Sequence, residues 1–385
     1  MRCLGMYVLM TKSQWFDEGN PDFPLAPIYL LGKKNTNKNK GMKENNLLSL
    51  SYGNIIRKNI DDTGGLRPDS FETYQVVKPG DTVLRFTDLQ NDHRSLRSGL
   101  VTERGIITSA YIGFRPNSRI VNPAFFAYVM RALDGMKAFY EMGSGVRQSL
   151  NWEEFSALFI PLPALETQRR IADYLDKEIG EMDALIENFE GLVAALESRK
   201  SLLVKRTFDS LNADTTQMGL FAKFISGRDW SEVEDENGEY PVFGSGSQMG
   251  YANDYFYDGE AVIFGRKGTL NKPRRVSGRF WVVDTAYVAA PNEQLDVNFF
   301  YYWAQTLPFE LLSTQTAIPS MTATDLKLQR IPVIPLSKQQ EIADELDREF
   351  EKMGSLIEES TKLIENLKAR KTALITEVVT GRKEV

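Results

Sequence analysis

Six basic side chains without an intervening acid occupy residues 261–283, in a chain of 385 residues whose formal net charge is −6. Cations concentrated in this way neutralise phosphate groups, which supply much of the affinity of proteins for nucleic acids. The segment Gly265-Arg266-Lys267-Gly268 adds flexible glycines, which let backbone amides approach the same anion. We therefore predict that the run contacts nucleic acid through Arg266, Lys267, Lys272, Arg274, Arg275 and Arg279.

A second set of cations lies in the first half of the chain. Residues 31–43 contain five lysines and no acid. Three arginines further on fall in a region that aligns with the basic run of the second half. Charge runs usually cover solvated loops, and that alternative stays open for the lysine run. The predicted nucleic-acid contacts here are Lys33, Lys34, Arg94, Arg97 and Arg104.

Cysteine and histidine, two residue types that are frequent in catalytic sites, are scarce. Cys3 is the single cysteine and His93 the single histidine, which excludes internal disulfides, cysteine-rich zinc modules and histidine metal clusters. His93 stands in a polar run without a candidate nucleophile beside it. The chain has no Gly-Lys-Ser/Thr phosphate loop, no Pro-Pro pair for an amino-methyltransferase motif and no Glu-x-Lys nuclease motif. We predict no catalytic residue, no metal site and no cofactor.

The composition indicates a folded protein, with 42% hydrophobic and 25% charged residues. Its longest apolar stretches are far shorter than the ~20 residues of a membrane span. No signal-peptide pattern is visible at the N-terminus. The expected location is the cytoplasm, where a lone thiol stays reduced.

An internal repeat indicates which elements position the cations. Residues 160–207 align with residues 331–378 without a gap, each residue 171 positions from its counterpart. Weaker similarity continues upstream of each copy. The chain is therefore interpreted as a tandem duplication of a globular domain followed by a long segment. Identical pairs include Gln168/Gln339, Ala172/Ala343, Asp176/Asp347, Leu196/Leu367 and Lys200/Lys371.

Each repeated segment is predicted to be one long helix, since apolar residues alternate at steps of three and four, as in a coiled coil. The domain between the helices has an expected radius of gyration of ~14 Å, too small to carry the chain back along a rod of ~65 Å. The helices should therefore run antiparallel, with the domains at opposite ends. Lys200 and Lys371 share one seam position, where either a solvated gap or a polar register device is expected. The predicted seam consists of Leu175, Ile179, Met182, Ile186, Phe189 and Leu196 in the first helix, and Leu346, Phe350, Met353, Ile357 and Leu367 in the second.

Both globular domains combine strand-like runs with fewer helical patterns, which predicts an α/β (α+β) fold. Strand-like runs include residues 82–86, 261–264 and 280–283, and helical patterns cover residues 123–140 and 296–312. The predicted boundaries are residues 1–159 and 209–330 for the domains, and 160–208 and 331–385 for the helices.

These features resemble the specificity subunit of type I restriction-modification systems over essentially the whole chain. The resemblance is carried by two domains, each followed by an Ile-Pro pair and then by Gln168-Arg169-Arg170-Ile171-Ala172 or Gln339-Gln340-Glu341-Ile342-Ala343. Phe264-Gly265-Arg266-Lys267-Gly268-Thr269 is similar to a recognition-domain signature. One departure is that the first domain is longer than the second, so equivalences before Pro79 are unassigned.

The resemblance implies a non-catalytic subunit that recognises double-stranded DNA. Each domain would recognise one half of a split target, and the helices would set the spacing. Two modification (methyltransferase) subunits using S-adenosylmethionine, together with restriction/translocase subunits, would assemble around the chain. Two alternatives stay open: a stand-alone nuclease with an unrecognised carboxylate site, and a coiled-coil adaptor that binds only proteins.

Overall fold

The computed structural model describes residues 16, 22–60, 70–91, 96–143, 148–314 and 316–385. The chain forms two compact units. Unit 1 draws on Met1–Asn188 and Leu363–Val385, and unit 2 is Phe189–Lys362. Each unit therefore contains one globular domain and a part of both long helices.

The helices of the described residues differ widely in length. Two of them exceed forty residues, and the others span one to four turns. They are α1 (Ile28–Leu31), α2 (Pro123–Gly135), α3 (Trp152–Ser156), α4 (Leu165–Asp209), α5 (Val297–Ala304), α6 (Phe309–Leu312), α7 (Ala323–Lys327) and α8 (Leu336–Val379), with 3₁₀ segments at Lys40–Met42, Ala138–Glu141 and Met218–Leu220.

The strands are short. In unit 1 they are β1 (Leu25–Pro27), β2 (Gly32–Lys34), β3 (Leu48–Ser51), β4 (Asn54–Arg57), β5 (Gln75–Val77), β6 (Thr82–Leu84), β7 (Ser98–Leu100), β8 (Gly105–Ile107), β9 (Ile112–Pro116) and β10 (Phe159–Pro161). In unit 2 they are β11 (Thr215–Gln217), β12 (Ala222–Ser226), β13 (Tyr240–Phe243), β14 (Gln248–Ala252), β15 (Tyr257–Asp258), β16 (Ala261–Gly265), β17 (Arg274–Val276), β18 (Arg279–Val282), β19 (Ala286–Pro291) and β20 (Arg330–Pro332).

The sheets of unit 1 pack around several apolar clusters. An antiparallel sheet has the order β2-β9-β6-β7, and the pairs β3-β4, β5-β8 and β1-β10 accompany it. An isolated parallel bridge between Leu47 and Ile106 connects the β3-β4 hairpin to β8. Strand β6 lies between β9 and β7 in this sheet and is buried throughout.

Unit 2 repeats this topology. Its sheets have the orders β12-β19-β16-β17 and β14-β13-β18-β15, with β11 paired to β20. The parallel pairing of β13 with β18 matches the isolated parallel bridge of unit 1. The tandem duplication predicted from sequence is therefore present in the fold, and the α/β (α+β) prediction is confirmed.

The long helices run antiparallel within each unit. In unit 1 the first turns of α4 and the last turns of α8 share one apolar core, as Ile171 and Leu175 do with Val378. In unit 2 the end of α4 and the start of α8 share a core that includes Phe208 and Leu346. These helix ends complete the cores of the globular domains. The predicted boundaries had treated the helices and the domains as separate segments.

The predicted seam residues point mostly inward. Those buried are Leu175, Ile179, Met182, Ile186, Leu196, Leu346 and Met353, and those half-buried are Phe189, Phe350, Ile357 and Leu367. The two seam lysines differ from each other. Lys371 Nζ lies 2.7 Å from Asp183 Oδ2 across unit 1, whereas Lys200 Nζ lies 5.7 Å from the centre of the Phe350 ring in unit 2. Both lysines thus contact the neighbouring helix, which favours a polar device over a solvated gap.

Within the described residues, no helix combines the length and the apolarity needed to cross a membrane.

Candidate nucleic-acid interface

The connection between β16 and β17 forms a tight turn that depends on two glycines. A Cβ atom on Gly265 would lie 2.2 Å from the carbonyl oxygen of Thr269, so only glycine fits there. Gly268 has a φ of +83°, in the left-handed region that favours glycine. The glycines flanking Arg266 and Lys267 therefore shape the loop that displays these cations.

Two other loops support this turn. The Gly268 N–H donates to Pro319 O at 2.9 Å, which attaches the turn to the segment before α7. The Arg274 Nη2 group donates to Gly246 O at 3.3 Å in the connection between β13 and β14. Three loops of unit 2 are thus fixed together at one site.

Four of the six cations predicted in unit 2 belong to this loop cluster. Lys267 and Lys272 are exposed and have no carboxylate partner among the described residues. Arg266 and Arg274 are half-buried, and Arg274 stacks 5.5 Å from the centre of the Phe243 ring. We call these four residues the basic loop surface, because they present positive charges that have no carboxylate partner within the described part of the chain.

The other two predicted cations of unit 2 are bound by carboxylates. Arg275 Nη1 lies 3.2 Å from Asp347 Oδ2 on α8. Arg279 Nε lies 3.0 Å from Asp258 Oδ2, and the hydrogen bond to that carboxylate raises the pKa of Arg279. Carboxylates compensate the charges of both arginines locally. We therefore do not include them in the basic loop surface, although they lie close to it in the sequence.

In unit 1 the predicted cations separate into different environments. Lys33 and Lys34 are exposed on β2, an edge strand. Arg104 follows β7 and is exposed, with its Nε 2.9 Å from Glu44 Oε2. Arg94 lies outside the described residues, as do His93 and Cys3.

Arg97 corrects the sequence-based prediction. Its side chain is fully buried, with Nη1 donating to Thr87 O at 3.1 Å and Nε donating to Tyr140 Oη at 3.3 Å. Its backbone N–H donates to the buried Asp134 carboxylate. A guanidinium held in this way belongs to the core of unit 1 and is not available to DNA.

The structure forms a positive surface in unit 1 that sequence analysis identified only in part, through the lysine run and Arg104. A cleft beside the end of β5 is lined by three lysines and two arginines and by no carboxylate. We call its cations, Lys38, Lys40, Lys78, Arg104 and Arg115, the basic cleft. The lysine run after β2 was the sequence feature that indicated it. Lys78 and Arg115 could not be included, because they come from distant parts of the chain.

The arginine at the base of the cleft is fixed by a buried acid. Arg115 donates from Nε to Asp81 Oδ1 at 2.8 Å and from Nη2 to Asp81 Oδ2 at 2.6 Å. Asp81 is only 1% exposed, and its hydrogen bonds raise the pKa of Arg115. The pair orients the guanidinium in the way that forked carboxylate contacts do.

Two polar contacts, which we call anchors, join each long helix to its domain. Sequence analysis did not predict them. The buried Gln168 side chain accepts from Asn122 N–H at 2.8 Å and donates to Pro163 O at 2.8 Å. Gln339 repeats this in unit 2, accepting from Asp296 N–H at 2.9 Å and donating to Ile334 O at 3.0 Å. Identity within the gapless repeat was the available signal.

The second anchor is a tyrosine–aspartate pair. Tyr128 Oη donates to Asp176 Oδ1 at 2.7 Å in unit 1, and Tyr302 Oη donates to Asp347 Oδ1 at 2.6 Å in unit 2. Burial is the main cause that raises the pKa of both tyrosines, and the aspartate bonds add to it. These repeated contacts hold each domain on its helix in one orientation.

Clustered metal ligands are absent from the part of the chain that the structure describes: no group of three His, Cys, Asp or Glu residues could hold an ion. The positive charge on the folded loops described above suits the binding of anions.

Comparison with known proteins shows similarity to proteins described as DNA specificity subunits. A family model described as the type I restriction modification DNA specificity domain matches residues 103–189 and 219–366. The candidate MjaX type I restriction enzyme specificity subunit of Methanocaldococcus jannaschii is 27% identical over 311 residues, which cover 70% of each protein. The type I restriction enzyme EcoprrI specificity subunit of Escherichia coli is 24% identical over 152 residues, covering 39% of this chain and 38% of the relative.

Solved structures show the same fold. A chain from a structural study of complex assembly and conformational transition in the type I R-M system superimposes with a TM-score of 0.72 at 16% identity, covering 94% of this chain and 98% of that one. The HsdS subunit from Thermoanaerobacter tengcongensis gives a TM-score of 0.51 at 15% identity, with the same coverage.

Proposed function

The chain belongs to the family of type I restriction-modification DNA specificity subunits, and from this premise we propose that each of its two domains recognises one half of a split DNA target. The observation that carries the proposal is the repeated topology, in which a four-stranded antiparallel sheet, a helix with a capped N-terminus and a long helix occur twice in the same order. Two similar domains in one chain suit a target with two parts.

The basic loop surface is the part of unit 2 that we assign to DNA. Exposed Lys267 and Lys272 supply charge for phosphates, and the three joined loops present polar backbone and side-chain groups for base edges. The charge is local, because the chain as a whole is acidic. DNA is therefore expected to approach this surface and to avoid the rest of the unit.

Catalysis is proposed to reside in partner subunits. The chain would bind modification subunits, which use S-adenosylmethionine, and restriction/translocase subunits. Support for two modification subunits comes from exposed leucines that the repeat duplicates. Leu185 and Leu356 are 46% and 48% exposed, and their counterparts one heptad later, Leu192 and Leu363, are 41% and 45% exposed. Each unit contains one member of each pair, so each could offer apolar contacts to one partner.

The test is to express the chain with its modification subunit in a host free of DNA methylation and to map the methylated sites. We expect one split sequence, and no methyl transfer by the purified chain alone. Lys267→Ala with Lys272→Ala should weaken DNA binding and lower its salt dependence by roughly 0.9 for each phosphate that is no longer neutralised. Lys205→Ala, an exposed lysine on α4, is the matched control.

Methylation of a single unsplit sequence would overturn the assignment of one half-site to each domain. Methyl transfer by the isolated chain would show that it is itself an enzyme. Absence of salt-dependent DNA binding would favour the adaptor that binds only proteins.

A further inference from the structure

The two units carry opposite charge at one equivalent position. The connection from β2 to β3 in unit 1 occupies residues 35–47 and contains three lysines and one glutamate. The connection from β12 to β13 in unit 2 occupies residues 227–239 and contains one arginine and six acids. The two connections join equivalent strands, but unit 1 presents mainly positive charge to a partner at this position and unit 2 mainly negative charge.

The basic connection of unit 1 is held in a defined conformation. The buried Asn39 donates from Nδ2 to Glu44 O at 2.8 Å and accepts from Glu44 N–H at 3.0 Å. The buried Asn35 donates to Val76 O at 2.8 Å, and Asn37 O accepts from Val76 N–H at 2.9 Å. The bonds to Val76 attach the connection to β5, and the Asn39 bonds fix its own turn. Lys38 and Lys40 are exposed to solvent.

Three of the five cations of the basic cleft are not neutralised by a neighbouring carboxylate among the described residues. Arg104 and Arg115 have carboxylate partners, but Lys38, Lys40 and Lys78 are exposed and without an ion pair in the described ranges. Three flexible ammonium groups around two fixed guanidiniums suit an extended polyanion, because each lysine can follow a separate phosphate.

The cleft lies at the end of the sheet opposite to the β6–β7 connection. Lys78 precedes β6, Arg104 follows β7, and Arg115 lies in the second half of β9. The equivalent β16–β17 connection of unit 2 carries the basic loop surface. In unit 1 the cleft is therefore separated from the β6–β7 connection by the length of the strands, ~10 to 17 Å for three to five residues.

We propose that the basic cleft of unit 1 binds phosphodiester groups of the DNA that flanks the half-site of this unit, whereas unit 2 makes no such contact. This inference rests on the proposed function, since it assumes that unit 1 recognises one half-site. The contact adds affinity without sequence information, because lysine and arginine bind all phosphates alike. The protein would then cover unequal lengths of DNA outside its two half-sites.

The experiment compares the complex of the full chain and its modification subunit with the triple variant Lys38→Ala, Lys40→Ala and Lys78→Ala. Binding is measured against salt concentration on a long duplex and on duplexes truncated at the outer edge of either half-site. We expect the unsubstituted complex to lose affinity on truncation at one side only. The variant should be insensitive to truncation at that side, with a salt slope smaller by up to about 2.7, or 0.9 for each of three phosphates.

Two control variants use the same region. Lys43→Ala removes an exposed lysine of the same connection that does not line the cleft, and it should keep the truncation effect. The triple substitution of the cleft lysines by arginine keeps the charge and should restore the salt slope.

The outcomes separate the possibilities. An unchanged salt slope and an unchanged truncation effect in the alanine variant, with specific methylation intact, would overturn the cleft proposal alone. A changed methylation sequence would show that the cleft recognises bases, and weaker binding of the modification subunit would show that it docks protein; either result would also overturn it. Loss of a split target in the unsubstituted complex would instead reject the proposed function.

Discussion

Arg274 and Arg275 are neighbours on β17, but their guanidinium groups lie on opposite faces of the strand. Arg274 Nη2 donates to Gly246 O on the side of the basic loop surface, and Arg275 Nη1 contacts Asp347 on α8. Successive residues of a strand alternate between faces, so two adjacent arginines serve two purposes. One is available to a ligand, and the other attaches the sheet to the long helix.

Substitution of these arginines should separate binding from stability. Arg274→Ala is expected to lower DNA affinity and to reduce the salt slope by about 0.9, the value for one phosphate. Arg275→Ala should leave the slope unchanged and cost at most ~1 kcal/mol of stability, because its ion pair is partly exposed. Fluorescence anisotropy over a salt series and thermal unfolding of both variants measure the two effects. Equal reductions of the slope would assign both arginines to DNA.

Periodicity and repetition predicted the long helices closely. The segment predicted for the first helix, residues 160–208, compares with the observed Leu165–Asp209 after the short strand β10, because a heptad pattern specifies both the helix and its buried face. Gly381 has a φ of +73° after the second helix, as expected for a glycine at a helix end. Local signals sufficed for these elements.

The roles of individual cations could not be predicted in this way. Arg97 belongs to a basic cluster in sequence, but Tyr140 and Asp134, about forty residues later, enclose it. Lys78 and Arg115 join the lysine run only through the pairing of β6 with β9. Long-range packing decides which charges face solvent, and a single sequence carries no direct signal for it. The predicted helical pattern at residues 123–140 was likewise interrupted, since Lys137 adopts a φ of +61°.

The repeated glutamine anchors should be important for local stability. Gln168→Ala and Gln339→Ala each leave a buried N–H and two carbonyl groups without their partner, which costs roughly 1–3 kcal/mol. Gln340→Ala removes the exposed neighbour on α8 and should change stability by no more than ~0.5 kcal/mol. Hydrogen exchange resolved by unit measures the effect where it arises. If one substitution lowers the protection of backbone amides from exchange equally in both units, the two glutamines do not act as independent anchors.

Stability should decrease at alkaline pH because of the repeated tyrosines. Burial raises the pKa of Tyr128 and Tyr302 above the value of about 10 that tyrosine has in the unfolded chain. Above that pH the unfolded state releases protons that the folded state keeps, so each tyrosine lowers the free energy of unfolding by up to about 1.4 kcal/mol per pH unit. Below pH ~10 their contribution is fully present.

Chemical denaturation between pH 8 and 11 tests this dependence. Tyr128→Phe and Tyr302→Phe should each reduce the alkaline slope, since phenylalanine does not titrate. Tyr52→Phe, at a side chain that is 72% exposed, is the matched control. A slope that persists in the double variant would place the alkaline transition in other groups.

The last prediction concerns the spacing of the two half-sites. If the helices set that spacing, deletion of one heptad from each, residues 185–191 and 356–362, shortens both by ~10 Å. This corresponds to about three base pairs at ~3.4 Å each. The deletions remove equivalent residues of the repeat and preserve the seam register, so both helices can still pair. The unread gap of the target should shrink by about three base pairs while both half-sites stay the same. Because the deletions also remove Leu185 and Leu356, the variant is first shown to fold by circular dichroism and to bind the modification subunit, and methylation mapping then measures the gap and the half-sites together. An altered half-site with an unchanged gap would show that the helices do not set the distance.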